Sequence, residues 1–212
     1  MRLIGVLTVL VGCQTNIGTS TPDAAMPTDG RPPQTLGMFV AWAADPALPG
    51  PVTDKITVSS ATFQIAHLQL VGDAGNDQRT TRSRYNVTWD ASGAPAQDAF
   101  PDAPVGVYSK ISLDISSPAF TVEIDGTFGN EDSLTPFRVV DRMGFTFSLD
   151  CNETLPIGGS ATISIGIAFQ DALNNIDFKN IKPDQQGVIQ ATSMQQLAGF
   201  HSKMQKGAFT IN

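Results

Sequence analysis

Apolar and polar residues alternate along several short segments of this chain, and the clearest case is "VGVYSKISLDI". Its apolar parity consists of Val105, Val107, Ile111, Leu113 and Ile115. The other parity carries Tyr108, Lys110, Ser112 and Asp114. Because successive side chains of a strand point to opposite faces, this pattern predicts a half-buried strand with Tyr108 on its solvent face.

The same period of two recurs in "AFTVEIDGTF", "MGFTFSLD" and "ATISIGIAF", and less regularly in "SRYNVTWD" and "LGMFVAWAA". Turn-forming clusters such as "GDAGNDQ", "GNEDS" and "PIGG" separate these segments, with no alternation of strands and helices. We therefore predict an all-β fold, an antiparallel β-sandwich, with a closed barrel as the alternative. In "KITVSSATFQIAHLQLVG" the parity changes between Ile65 and Leu68, which predicts a bulge or bend there.

One short helix is predicted near the C-terminus, where it would cover an edge or end of the sandwich. In "TSMQQLAGFHSKMQKG" the apolar face follows helical spacing, with Thr192 or Ser193 available as the N-cap and Gly207 after the last turn. The residues on that face are Met194, Leu197, Ala198, His201 and Met204. A second short helical turn is possible at "FQDALNNIDF".

The N-terminal segment has the features of a secretory signal. Arg2 precedes an apolar stretch, Leu3 to Val11, which is too short to span a bilayer because a spanning helix needs about 20 residues. The stretch ends in "LVGC", Leu10 to Cys13, which resembles the lipobox of bacterial lipoproteins. That resemblance implies a signal peptide at residues 1–12, cleavage before Cys13, and acylation of its sulfur, with palmitate as a typical chain. The alternative is an ordinary core cysteine, or a disulfide with Cys151.

Residues 13–34 are predicted to form a flexible tether that begins at the lipidated cysteine. The segment 14–34 is rich in Thr, Pro, Asp, Gly and Ala, and it has too few large apolar residues to stabilise a fold of its own. As a flexible coil its root-mean-square span would be about 25 Å. The β-sandwich domain is then expected at residues 35–212. Gln14, where enteric lipoproteins retained in the inner membrane have Asp, favours the outer membrane by analogy.

Composition excludes several classes of protein. The chain has 212 residues, 41% of them hydrophobic, which is enough for a folded body with a substantial core. A formal net charge of -7 repels phosphate backbones, so we expect no nucleic-acid partner. No apolar run reaches the 18 or more residues typical of a membrane-spanning helix, so the expected contact with the membrane is the N-terminal lipid.

Few residues carry a recognisable chemical signature. Cys151 is the only cysteine apart from Cys13, and we expect it to be a free, buried or half-buried structural thiol. Met194, His201 and Met204 have ligand types that suit copper, but their helical spacing beside Leu197 and Ala198 is better explained by a helix packed on a sheet. We therefore expect no metal or other cofactor. Phosphate-binding loops, G-x-S-x-G and H-E-x-x-H motifs are all missing from the sequence.

Four aromatic residues, Trp42, Tyr85, Trp89 and Tyr108, offer a sugar-stacking platform, although aromatic residues on alternating strands are more often part of a core. The segments "APVGVYSKISLDI" and "IGGSATISIGIAF" are similar to a pattern in uncharacterised bacterial lipoproteins with one transthyretin-like or immunoglobulin-like sandwich. This resemblance implies the fold and supplies no catalytic motif.

These observations favour a lipid-anchored module of the cell envelope that binds a protein or glycan partner through its loops and has no catalytic activity. Two other functions stay open. One is an envelope protein that handles a metal or another small ligand. The other is a hydrolase that uses carboxylates from separate strands. The lack of catalytic motifs shifts the expectation away from an enzyme.

Overall fold

The computed structural model describes residues 36–73 and 79–212, which belong to one contact unit, residues 35–212. The predicted signal peptide, Cys13 and the tether lie outside the described residues. Within them the chain forms strands, two α-helices and a 3-10 turn at Phe178–Asn180. The elements are β1 Gly37–Asp45, β2 Gly50–Thr53, β3 Ile56–Gly72, β4 Arg79–Trp89, β5 Asp98–Phe100, β6 Gly106–Ile115, β7 Val122–Asn130, β8 Ser133–Asp141, β9 Phe145–Leu155, β10 Ser160–Ala168, α1 Phe169–Leu173, β11 Ile189–Ala191, α2 Met194–Lys206 and β12 Phe209–Ile211.

The strands form two sheets, as expected for the predicted all-β sandwich. One sheet has the order β12-β10-β1-β5. The other has the path β11-β8-β7-β3-β6-β9, with β2 and β4 also paired to β3. Most neighbouring strands are antiparallel, but β1 pairs with β10 and β8 with β11 in parallel, which the alternation of apolar residues did not predict.

The predicted C-terminal helix is confirmed as α2. Ser193 is its N-cap and forms a capping box with Gln196, so two free backbone donors of the first turn are satisfied. The helix buries Leu197, Phe200 and Met204 in the core. The possible second helical turn is also present, as α1 directly after β10.

Strand β3 divides the larger sheet because its two halves pair with different strands on the same edge. The first half, 56–63, pairs with β7, and the second half, 65–72, pairs with β6. Gln64 lies at the division: its amide donates to Thr121 O at 2.9 Å, and its carbonyl accepts from Ser116 N at 3.1 Å. The predicted irregularity between Ile65 and Leu68 is confirmed, since the register with β6 shifts between Ile65 and His67.

The predicted exposure of Tyr108 is wrong. Tyr108 is fully buried, whereas Val105 is 48% exposed and Val107 is only half-buried. The reason is a bulge in β6: Val71 pairs with Lys110, but the next residue of β3 pairs with Tyr108, which leaves one extra residue in β6. An extra residue inverts the faces of a strand, so the parity read from Ile111 to Ile115 does not extend to residue 105.

The two sheets enclose one continuous apolar core. At its centre the Phe63 ring meets the rings of Trp89, Phe169 and Phe209 edge-on, with centroids 5.9 to 6.0 Å apart. These four aromatic residues come from β3, β4, α1 and β12, so packing at this point joins both sheets to the first helix. Such edge-to-face contacts add about 0.5–1.5 kcal/mol each to simple burial.

Candidate functional site

Cys13, the predicted lipidation site, lies outside the described residues. Cys151 lies in β9, partly buried, and its thiol donates a weak hydrogen bond to Tyr108 O at 3.4 Å. Burial, together with the negative charges of Glu153, Asp150 and Asp73, raises the pKa of the Cys151 thiol to about 11. The thiol is therefore neutral at physiological pH, and its surroundings oppose the thiolate that a nucleophile needs.

The three soft-metal candidates of α2 occupy different environments. Met194 is 70% exposed at the start of the helix, whereas Met204 is fully buried in the core. His201 lies between them, and its Nδ1 is 2.8 Å from an Asp141 carboxylate oxygen. In the described ranges, no three His, Cys, Asp or Glu side chains form a group that could hold a metal ion.

The contact of His201 with Asp141 has the geometry of a histidine–carboxylate pair. Asp141 is 1% exposed at the end of β8, and its other carboxylate oxygen accepts the Met143 amide at 2.8 Å. The imidazole also packs edge-to-face against Phe145, with centroids 5.5 Å apart. Among the residues that the structure describes, no hydroxyl or thiol hydrogen-bonds to His201. The pair therefore fixes α2 to the end of β8 and lacks the nucleophile of a catalytic triad.

A second buried carboxylate, Asp98, contacts three polar side chains from two other strands, β1 and β4. Asp98 is 3% exposed in the short strand β5. One carboxylate oxygen accepts Trp42 Nε1 at 2.7 Å and the Tyr85 hydroxyl at 2.8 Å. The other forms an ion pair with Arg82 at 2.8 Å. Trp42 belongs to the smaller sheet and Tyr85 to the larger one, so this cluster links the two sheets by hydrogen bonds inside the core.

The electrostatics of this cluster favour protonated Tyr85. Burial is the largest cause of a strongly raised Tyr85 pKa, followed by the Asp98 charge and the hydrogen bond to Asp98. The Arg82 guanidinium, 4.8 Å above the Tyr85 ring, opposes that shift. Every polar group named here therefore has a partner inside the protein, and the cluster is a structural link between the sheets.

The four aromatic residues considered as a sugar platform are not arranged as one. Trp42, Trp89 and Tyr108 are buried, which confirms that they belong to the core, and Tyr85 is the hydrogen-bond donor to Asp98. The Tyr108 hydroxyl donates to Pro104 O at 2.7 Å, four residues earlier in the chain. This contact closes the turn before β6, as the tyrosine corner of immunoglobulin-like sandwiches does.

An open cleft of about 650 Å³ lies on the surface beside Gln64, where β3 changes its pairing partner from β7 to β6. The β6–β7 connection forms one wall, because its two ends bond to the backbone of Gln64 and its middle bends away. The cleft is lined in about equal measure by polar groups, which are amides, hydroxyls and a guanidinium, and by apolar surface. Its lining residues are Gln64, Ile65, Ala66, Arg84, Tyr85, Asn86, Ser116, Ser117 and Pro118.

Arg84, in the wall of this cleft, has an unusual backbone conformation. Its φ is +56°, and no other non-glycine residue in the described part of the chain has a positive φ. A left-handed conformation costs a residue with a side chain about 1–2 kcal/mol, and such strained positions cluster at functional sites. Arg84 lies opposite the β3 irregularity between Ile65 and His67, so both strands are distorted at the cleft. Arg84 is exposed and is one of the residues that line the cleft.

The sequence did not point to these groupings. Asp98 is in a three-residue strand that no alternation marks, and its partners lie 13 to 56 residues away along the chain. The only local signal was the change of parity after Ile65, which located the distortion but not the cleft.

Comparison with models of protein families, with curated proteins and with solved structures gives no match for this chain. Neither helix among the described residues has the length and apolar character needed to cross a membrane.

Proposed function

We propose that this protein is a lipid-anchored, non-catalytic module of the cell envelope. Its partner binds in the cleft beside Gln64, where β3 changes its pairing partner from β7 to β6. The anchor is Cys13, the tether is residues 14–34, and the binding body is the β-sandwich. The observation that carries the binding role is the strained Arg84 in the wall of a cleft with both polar and apolar lining. Strain that persists in a folded protein needs compensation from the surrounding structure, and a binding role gives a reason for its retention.

The chemistry of the cleft indicates the kind of partner. Gln64 and Asn86 offer amide groups that both donate and accept, and Ser117 offers a hydroxyl. Arg84 adds a positive charge that favours carboxylate or another anion. The partner is therefore a neutral or acidic chain rich in hydrogen-bonding groups, either a glycan or an extended peptide.

The buried ionisable groups support a role without catalysis. Asp98 and Asp141 are occupied by donors of the fold itself. The Cys151 thiol has a pKa raised to about 11, opposite to the shift that activates a cysteine nucleophile. In general acid–base catalysis a carboxylate must be free to exchange a proton with substrate, and these two carboxylates hold structural hydrogen bonds instead.

The anchoring part is tested with the full-length gene expressed in a bacterium that has the lipoprotein-processing enzymes. We expect mass spectrometry of the purified protein to show an N-terminal peptide beginning at acylated Cys13, and metabolic labelling with palmitate. Cys13→Ala should abolish the label and leave the precursor uncleaved. Cys151→Ala is the matched control and should be labelled like the wild type. An unmodified Cys13 in the wild type would refute the anchor. A separate experiment, in which the inner and outer membranes are separated by density, tests the outer-membrane location.

The binding part is tested by photo-crosslinking in intact cells. A photoreactive benzoylphenylalanine at Asn86, inside the cleft, should crosslink to envelope glycan or protein, whereas the same group at Thr81, exposed on the same strand, should not. Adding Arg84→Gly should reduce the crosslink while leaving the fold stable, because glycine adopts a positive φ without strain. Equal crosslinking at both positions would show that the cleft is not the binding site.

A further inference from the structure

Exposed apolar side chains concentrate at one end of the sandwich. The described residues include five exposed large hydrophobic side chains, and three of them lie at this end. Ile157 is 90% exposed, and Leu36 and Val105 are each 48% exposed. We call these three residues the apolar end. Of the other two, Leu134 is near the β7–β8 turn and Met194 begins α2.

The backbone brings the three residues of the apolar end together. Gly106 pairs with Leu155, so Val105 lies beside Pro156, one step beyond the paired strands. The turn after Pro156 is closed by the Gly159 amide, which donates to Pro156 O at 3.2 Å, and it presents Ile157 at its tip. Gly159 O in turn accepts the amide of Gly37 at 3.2 Å, which places Leu36 next to the same turn.

The position of Leu36 indicates that the apolar end faces the membrane. Leu36 is the first described residue, and the chain on its N-terminal side is the tether that leads to Cys13. As a flexible coil, the proposed tether would have a root-mean-square span of about 25 Å, so a bilayer that holds the proposed lipid of Cys13 would be within reach. Tethering raises the effective concentration of that bilayer to the order of millimolar, so weak contacts suffice to orient the body.

The charges beside the apolar end indicate the kind of lipid surface. Asp73, Asp102 and Glu153 flank it, and the described segments that build it, 36–37, 72–73, 101–108 and 153–159, contain no lysine or arginine. Carboxylates are repelled by anionic headgroups, so the surface is suited to apolar contact with zwitterionic lipid.

We propose that the apolar end docks on the zwitterionic phospholipid surface of the membrane that holds the protein, with Ile157 inserted among the headgroups. This orients the sandwich with its tether-bearing end against the bilayer and the β7–β8 turn away from it. The inference rests on the proposed lipid anchor, because the tether brings the bilayer to this end.

The test uses the full-length, lipidated protein reconstituted in phosphatidylcholine vesicles whose acyl chains are brominated near the headgroup, since bromine quenches indole fluorescence on contact. Ile157→Trp puts a reporter at the apolar end, and Leu134→Trp is the control at another exposed apolar residue, 55% exposed, near the opposite end of β3. The wild type, whose Trp42 and Trp89 are buried, gives the background. Flotation of the vesicles on a density gradient reports anchoring independently.

We expect flotation of both variants. The reporter at 157 should lose about half of its emission, since interfacial side chains lie about 5–10 Å deep, and the reporter at 134 should lose none. Replacing part of the lipid with phosphatidylglycerol should reduce the quenching at 157.

Flotation with equal or no quenching at the two sites would overturn the docking and leave the anchor intact. No flotation would overturn both. A blue-shifted but unquenched reporter at 157, with a doubled molecular mass in solution, would assign the apolar end to a second copy of the chain and overturn the membrane contact.

Discussion

Two aspartates, Asp98 and Asp141, are almost equally buried in this sandwich but are connected to it in different ways. Asp98 is 3% exposed, accepts two side-chain hydrogen bonds and forms an ion pair with Arg82. These partners belong to both sheets. Asp141 is 1% exposed and accepts one backbone amide from its own turn and one imidazole from α2.

Burial alone therefore does not set the structural importance of an acid. The cost of losing a buried carboxylate depends on the donors that it leaves without a partner. Loss of Asp98 affects three side chains on two sheets, including a guanidinium. Loss of Asp141 affects one turn and one helix. The following predictions test this contrast.

The largest effect is expected for Asp98→Ala. The change leaves Trp42 Nε1 and the Tyr85 hydroxyl unpaired and removes the counterion of Arg82. Each donor left without an acceptor costs about 1–3 kcal/mol, so we expect a loss of about 4 kcal/mol of unfolding free energy, with little from the solvent-screened Arg82. Urea denaturation followed by circular dichroism measures it, with Asp102→Ala, an exposed aspartate in a nearby turn, as the control. A loss below that of Asp141→Ala would reverse the comparison.

For Asp141→Ala we expect a smaller loss, about 2 kcal/mol, because one backbone amide and one imidazole lose their acceptor. The effect should be local. Hydrogen exchange should accelerate in α2 and the 141–143 turn before it does in β1 or β4. Exchange that accelerates equally in all strands would contradict the assignment of Asp141 to the helix, and Asp132→Ala, in the exposed β7–β8 turn, is the matched control.

Arg82→Gln separates the ion pair from the rest of the Asp98 cluster. The Arg82 side chain is 43% exposed, so solvent screens its charge and its loss should cost at most about 1 kcal/mol. Tyr85→Phe, which removes the hydrogen bond that the half-buried Tyr85 hydroxyl donates to the same carboxylate, should cost more. If Arg82→Gln were the more damaging change, the cluster would depend on the ion pair rather than on its buried donors.

The smallest expected effect is a change in the pH at which Tyr85 ionises. Absorbance near 295 nm measures it, because ionised tyrosine absorbs there. Burial raises the pKa of both tyrosines of the chain, Tyr85 and Tyr108, and Asp98 raises that of Tyr85 further. An unfolded tyrosine ionises near its usual pKa of about 10. Above that pH the folded state therefore holds more protons than the unfolded state, and stability falls as the pH rises.

In Asp98→Asn the charge that raises the Tyr85 pKa is gone, so Tyr85 should ionise at lower pH than in the wild type, with Tyr108 unchanged. Circular dichroism at each pH confirms that the variant is still folded. Identical titration curves for the two proteins would show that burial alone controls Tyr85.

The alternation of apolar residues was sufficient to predict much of the fold. It located β6, β7, β9 and β10, and helical spacing with a serine cap located α2. It failed where a bulge inverted the faces of β6, because a single extra residue changes parity without changing composition. The parallel pairs β1–β10 and β8–β11 were also beyond its reach, since they join segments far apart in the chain.

The candidate sites were less predictable than the fold. The sequence singled out Cys151 and the Met194, His201 and Met204 set by residue type, and the structure places these in separate environments. No pattern in the sequence indicated the Asp98 cluster or the cleft beside Arg84. Both are assembled from strands whose proximity depends on sheet pairing.

Patterns local to the chain were enough to predict seven of the strands, the start of α2 and the N-terminal residues that resemble a lipid-attachment signal, but they did not mark β2, β5, β8, β11 or β12. Only the tertiary structure decided which buried aspartate joins the two sheets, where β3 divides to open a cleft, and that Leu36, Val105 and Ile157 share one end. Those features depend on strand pairing between residues distant in sequence, whose free energy is gained only when the sheets close on a common core.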